Sequence, residues 1–133
     1  MIVNGWRYPF RPRTWDDIFR DATDMAANHG EFRYLAEIVA SVIETDSTDL
    51  LAGLTSMHDI IVTSTPIPDA PLDVVAVRAP GSLRPPQTGQ VLIEHLAVSG
   101  HNDRIERPAT DAVPLFWRFM LEKFGIHPAT SPD

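Results

Sequence analysis

Gln90-Val91-Leu92-Ile93-Glu94-His95-Leu96-Ala97-Val98 is the stretch on which the fold turns. It is short, and it is apolar on both alternating faces except at Glu94 and His95, the pattern of a strand covered on two sides and placed inside a sheet. Ser99-Gly100 turns the chain after it, and 104–107 reads as a short further strand. Upstream, 79–90 holds Pro80, Gly81, Pro85, Pro86 and Gly89 and is a loop by composition. Before that loop, Leu72-Asp73-Val74-Val75-Ala76-Val77-Arg78 and Asp59-Ile60-Ile61-Val62-Thr63-Ser64-Thr65 read as two more strands, joined through Pro66, Pro68 and Pro71.

Helical spacing lies on either side of this middle. Residues 1–13 form an arm, because Pro9 and Pro12 forbid a helix there. Thr14 caps a helix with Asp17 three residues on, and Trp15, Ile18, Phe19, Ala22, Met25 and Ala26 recur along one side of it. Gly30 stops it. A second helix over 31–44 carries the stripe Leu35, Ile38, Val39, Val42 and Ile43, making an αα-hairpin with the first. Asp46 or Ser47 then caps a third, short helix through Leu50, Leu51 and Leu54. Near the end, Thr110 caps a helix with Pro114 in its first turn, the stripe Val113, Phe116, Trp117, Met120, Leu121 and Phe124, and Gly125 as its stop.

The expected class is α+β: N-terminal helices, an αα-hairpin plus a short helix, then a small three- to four-stranded mainly antiparallel sheet, then a C-terminal amphipathic helix packed on it. The organisation expected is an arm at 1–13, one domain over 14–126 and a disordered tail at 127–133. All eleven aromatic residues lie at or before Tyr34 or at or after Phe116, so the two ends of the chain pack on each other or on one sheet.

With 133 residues, 44% hydrophobic and 22% charged, the chain is long enough for one core without staples. It contains no cysteine, which excludes disulfides, thiolate nucleophiles and Cys-ligated metals. The first ten residues lack the apolar core of a signal peptide, and no apolar run is long enough to span a bilayer, so a cytoplasmic protein with no membrane partner is expected. A net charge of −7 repels phosphate backbones and argues against nucleic acid as a partner. Ten arginines stand against one lysine, a coding bias that suits a high-GC bacterium or its phage.

The densest polar cluster is Glu94, His95, His101, Asn102, Asp103, Arg104, Glu106 and Arg107. If the chain is an enzyme, Glu94, His95, His101 and Asp103 are its catalytic candidates, with a histidine as general base oriented by a carboxylate, or with His95, His101 and Asp103 facing one metal. The alternative is a solvated turn whose hydrogen bonds Asn102 and Asp103 serve. His58-Asp59 offers either a tuned base or capping groups at a strand end, and His29 suits the negative end of a helix. Nucleophile elbows and phosphate-cradling glycine loops are missing.

The arm interleaves Trp6, Tyr8, Phe10 and Trp15 with Arg7, Arg11 and Arg13. These types are enriched at protein interfaces, and they equally suit an arm that folds over its own domain to bury its rings. Leu115 and Phe119 lie off the main stripe of the last helix and need cover, from a second copy in a dimer or from the first helices.

The strand 91–98, a loop, and the helix ending Glu122-Lys123-Phe124-Gly125-Ile126 resemble the central strand–loop–helix of the acetyl-CoA-dependent N-acetyltransferases. That resemblance implies acyl transfer, with a glycine- and arginine-containing loop on the CoA pyrophosphate. The corresponding loop, 99–110, has its one glycine at Gly100.

The leading expectation is a non-catalytic protein-interaction module with a regulatory, immunity or phage–host role, which takes no cofactor and no metal. Its partner is another protein, with self-association as a homodimer, through Trp6, Arg7, Tyr8, Phe10, Arg11, Arg13, Leu115 and Phe119. The alternatives are a small enzyme, acyltransferase-like or a metal-assisted hydrolase, at the 94–107 turn, and a structural assembly subunit.

Overall fold

Thr14 Oγ1 accepts the Asp17 amide N–H at 3.1 Å and starts α1 (Trp15–Asn28). The computed structural model describes residues 4–130. His29 leaves the helical region, a 3₁₀ turn over Gly30–Phe32 follows, and α2 (Arg33–Glu44) returns beside α1 as the expected hairpin, burying Tyr34, Leu35, Ile38, Val39 and Val42. Five strands come next: β1 (Leu51–Ser56), β2 (Asp59–Ser64), β3 (Val74–Val77), β4 (Gln90–Leu96) and β5 (Asp103–Pro108). They form one antiparallel sheet in the order β1-β2-β3-β4-β5, each strand beside its neighbour in sequence. After a 3₁₀ turn at Ala109–Asp111, α3 (Ala112–Phe119) continues into a π turn at Met120–Phe124, and Gly125 closes it in the left-handed region at φ 69°. The class is α+β, with the C-terminal helix packed on the sheet.

Two expectations about the elements are corrected. The short third helix over 50–54 is strand β1, so the sheet has five strands rather than three or four. Leu50, Leu51 and Leu54 have helical spacing, but pairing with β2 decides the segment. Asp46 and Ser47 close α2 instead of opening a helix: Asp46 takes φ 55°, and the Ser47 N–H donates to Val42 O at 2.9 Å. At the described end of the chain the Ala129 N–H donates to Ser47 Oγ at 3.0 Å and the Thr130 N–H to Thr45 O at 2.9 Å. Residues 131–133 lie outside the described part.

Alternation divides the sheet into two faces. Leu51, Ile60, Val62, Val75, Val77, Val91 and Ile93 face the helices, in a core shared with Trp15, Phe32, Tyr34, Phe116 and Phe119. Aromatics from both ends of the chain meet there. Gly53 belongs to this face because Trp15 lies across it: a Cβ at 53 would fall 2.8 Å from the ring, which is pinned by Trp15 Nε1 donating to Leu51 O at 2.8 Å.

Among the described residues no helix covers the second face. The arm and the proline-rich loop before β3 cover part of it: Phe10 and Leu72 pack on Ala52, Leu54, Ile61, Val74 and Ala76. Trp6 and Leu72 exchange backbone hydrogen bonds at 2.8 and 3.0 Å, and Arg13 bridges to Gly53 on the outer edge of β1. The other edge strand, β5, is charged at Asp103, Arg104, Glu106 and Arg107 and ends in Pro108, which discourages pairing with another chain. Among the described residues no helix is long and apolar enough to cross a membrane.

Candidate functional site

The register of the sheet sets a buried ion network at the uncovered end of the second face. Ile60 pairs with Val77, so Asp59 and Arg78 are the next facing positions, and Glu94 sits opposite Arg104. Arg78 Nη1 donates to Asp59 Oδ2 at 3.0 Å, and its Nη2 donates to Glu94 Oε2 at 2.7 Å. Asp59 also accepts the Ala79 N–H at 2.7 Å and the Ser82 hydroxyl at 2.9 Å. The side chains of Arg78, Asp59 and Glu94 are only 14%, 8% and 3% exposed. Burial pulls the Arg78 guanidinium down, but the hydrogen bonds and charges of Glu94 and Asp59 outweigh it and hold its pKa above the ordinary value. This arginine is a fixed cation in low dielectric, with its partners in place.

Above the network is a cleft of about 400 Å³, walled by the arm at Asn4 and Gly5, the β1–β2 turn at Ser56 and Met57, and the loop at Ser82, Leu83 and Arg84. Two exposed apolar side chains, Met57 at 65% and Leu83 at 85%, stand at its rim among polar neighbours that include Ser56, Arg84 and Asn102. Met57 and His58 are the two residues of a tight hairpin turn, at φ 50° and 74°. Such turns favour Asn-Gly, because a side chain there is strained. The turn lifts Met57 over the cleft and sets the His58 ring edge-on to Phe32, centroids 5.9 Å apart.

The residues expected to form a catalytic cluster converge only in part: His95 and Asp103 face each other across β4 and β5, whereas Glu94 and His101 lie apart from them. Glu94 and His95 are consecutive in a strand, so they point to opposite faces. Glu94 joins Arg78, whereas His95 faces the helical side with Asp73 Oδ2 3.7 Å from its Nε2. Burial pulls the His95 pKa down, only partly offset by Asp73 and Asp103, and Lys123 adds to the lowering. Asp103 binds Lys123, which lowers its carboxyl pKa. His101 lies exposed in the β4–β5 turn, where its N–H donates to Ser99 Oγ at 3.2 Å, and Asn102 Oδ1 accepts the Ala97 N–H at 2.8 Å. Among the described residues no three metal-ligating side chains come together. His58 and Asp59 are likewise split, the one exposed in the turn and the other buried under Arg78.

The acetyltransferase resemblance is also corrected. β4 passes by a hairpin into antiparallel β5, and the helix comes only after β5, so there is no strand–loop–helix unit.

The arm residues divide by role. Phe10 is buried, Trp6 is half-buried, and Arg13 Nη1 donates to Asp21 at 2.6 Å and to Thr55 at 3.0 Å, so these three fasten the arm to its own domain. Arg7, Tyr8 and Arg11 face solvent, with the Arg7 guanidinium 5.0 Å from the Tyr8 ring centre. Leu115 and Phe119 are buried, 6% and 2% exposed, and offer no surface. Of the two covers that α3 was expected to find, the earlier helices supply one: α2 packs on it, and Trp117 Nε1 donates to Ser41 Oγ at 3.0 Å. Leu121, expected in the stripe, is 44% exposed.

Sequence reasoning missed the Arg78–Asp59–Ser82 group. Its one signal was charge at both ends of otherwise apolar strands, Asp59 opening one and Arg78 closing the next. A larger cleft of about 740 Å³ lies on the helical side, between the start of α2 and the loop 86–90. Tyr34 lines it, its hydroxyl donating to Arg78 O at 2.5 Å and its pKa pushed up by burial and then by Asp59. No protein-family model matches this chain, and no curated protein or solved structure matches it either.

Proposed function

We propose that the protein is a non-catalytic protein-binding module, and that its recognition surface is the helix-free face of the sheet at the cleft above Arg78. One observation carries this reading. Met57 and Leu83 are the two most exposed large hydrophobic side chains among the described residues, and both rim that cleft. Two exposed apolar side chains at the rim of a cleft floored by a buried ion network leave groups free to contact a partner. The strained Met57 turn supports the reading, since its side chain is held out in solvent at a cost in stability. The exposed arm residues Arg7, Tyr8 and Arg11 extend the same surface.

The test is a photo-crosslinking side chain placed at Leu83 and, separately, at Leu121, in cells that produce the chain. A protein adduct at 83 that is missing at 121 is expected. No adduct at 83, or the same adduct at both positions, overturns the reading.

A further inference from the structure

We infer that the occupant of the Arg78 cleft is an acidic segment of a partner protein, with carboxylates between apolar side chains; this rests on the binding-face reading above and adds the chemistry of the ligand.

The argument begins with the arginines. Arg78 is engaged by Asp59 and Glu94 through three of its five N–H donors. Arg84 and Arg104 are not. Arg84 Nη1 stands 4.0 Å from Glu94 Oε2, and Arg104 Nε stands 3.6 Å from Glu94 Oε1, both beyond a hydrogen bond. Their side chains are 67% and 61% exposed. Among the described residues neither guanidinium donates a hydrogen bond. Each therefore presents an unused planar fork of N–H donors, the group that binds a carboxylate in bidentate fashion.

Glu94 Oε1 is buried and receives no hydrogen bond from the described residues. The carboxylate already present thus attracts both guanidiniums without satisfying them. Arg78, Arg84 and Arg104 against Asp59 and Glu94 leave one positive charge at this spot, on a chain whose net charge is −7. Glu106, two positions along β5, is engaged elsewhere, accepting the Gln87 N–H at 2.8 Å.

The rim selects among anions. Met57 and Leu83 are aliphatic and match apolar side chains, whereas single-stranded nucleic acid is usually received on aromatic platforms. The field of an acidic chain also repels a polyphosphate over distance, while a short acidic segment meets the local arginines inside a Debye length.

The test pans a random linear peptide library displayed on phage against the full chain, with counter-selection on the double variant Arg84→Glu, Arg104→Glu. Both side chains are exposed, so the fold should survive, and circular dichroism checks that it does. Enriched peptides should carry Asp or Glu beside apolar residues. They should bind the double variant at least about tenfold more weakly, and weaken as salt rises. Leu83→Ser should weaken them as well. Peptides with no acidic preference, or binding untouched by the charge reversal, overturn the inference. So does a single-stranded oligonucleotide bound as tightly as the peptides, or a homodimer that the double variant dissociates. An empty selection alongside a persistent crosslink at 83 defeats the acidic ligand and leaves the binding face standing. Arginine-dependent acidic peptides without a crosslink in cells support the charge chemistry of the cleft and overturn the reading that a cellular protein occupies it.

Discussion

Tyr34 and Arg78 are joined through the sheet: the tyrosine hydroxyl, coming from the helical side, donates to the Arg78 carbonyl oxygen at 2.5 Å, while the Arg78 guanidinium lies on the opposite face between Asp59 and Glu94. The strand end that carries the ion network is thus fastened from behind. Tyr34→Phe removes the donor and leaves a carbonyl in the interior without it. A loss of about 1–2 kcal/mol in urea unfolding is expected. An unchanged midpoint would show that this hydrogen bond contributes nothing net.

Arg78→Met is expected to cost more. It leaves Asp59 and Glu94 buried beside each other with no fixed cation, a change of about 3–5 kcal/mol. Adding Asp59→Asn and Glu94→Gln to that variant should restore much of the loss, because the uncompensated charges disappear with it. If the triple variant is no more stable than Arg78→Met alone, packing of the arginine stem rather than charge dominates the site.

His95 gives the chain a pH dependence of defined sign. Its folded pKa lies below the ordinary 6.5, chiefly through burial, so the unfolded chain binds the proton more readily. Its contribution to stability is complete above 6.5 and is lost as pH falls from there toward the folded value. Asp73, Asp103 and Lys123 are the charges facing it. Comparing the wild type with His95→Leu in chemical unfolding across this window should show a steeper acid-side loss for the wild type. Parallel curves would refute the assignment.

Met57→Asn should stabilise the chain while weakening binding. Asparagine tolerates the left-handed conformation that Met57 adopts at φ 50°. A gain of about 0.5–1 kcal/mol in thermal or chemical unfolding is expected. The same substitution removes part of the apolar rim, so the crosslinking yield at 83 should fall. A stability gain with undiminished crosslinking would separate Met57 from recognition.

Much of the fold was legible because it rests on local periodicity. Thr14 with Asp17, the stripe from Leu35 to Val42, and the two-sided apolar run at 91–93 each fix an element without reference to the rest of the chain. Residues 50–54 failed because their leucine spacing suits a helix as well as a strand. What decides them is the pairing of Leu51 with Ser64 and Leu54 with Ile61, which lies elsewhere in the chain. The site was less legible for a related reason. Closeness in sequence made Glu94, His95, His101 and Asp103 look like a cluster, but side chains alternate along a strand, so Glu94 leaves the face that His95 and Asp103 share, and His101 stays in the turn. The groups that do meet, Asp59, Arg78, Ser82 and Glu94, are gathered by strand register and a loop. The arm was readable as alternatives only, since the same rings serve an interface or a lid. The backbone pairing of Trp6 with Leu72 and the burial of Phe10 fasten it to its own sheet, and Tyr8 remains outside.

The order of the strands in space is their order along the chain. Every strand pairs with its neighbour in sequence, across connections that run from the two-residue Met57-His58 turn to the twelve residues 78–89, so the sheet can grow one hairpin at a time. The contacts that reach furthest along the chain are those of α3 with α2 and of residues 129–130 with the end of α2. Such a chain should fold quickly for a protein with so much sheet, and it leaves no strand waiting for a distant mate. The longest reach in sequence falls to the C-terminal helix, whose docking on α2 completes the core.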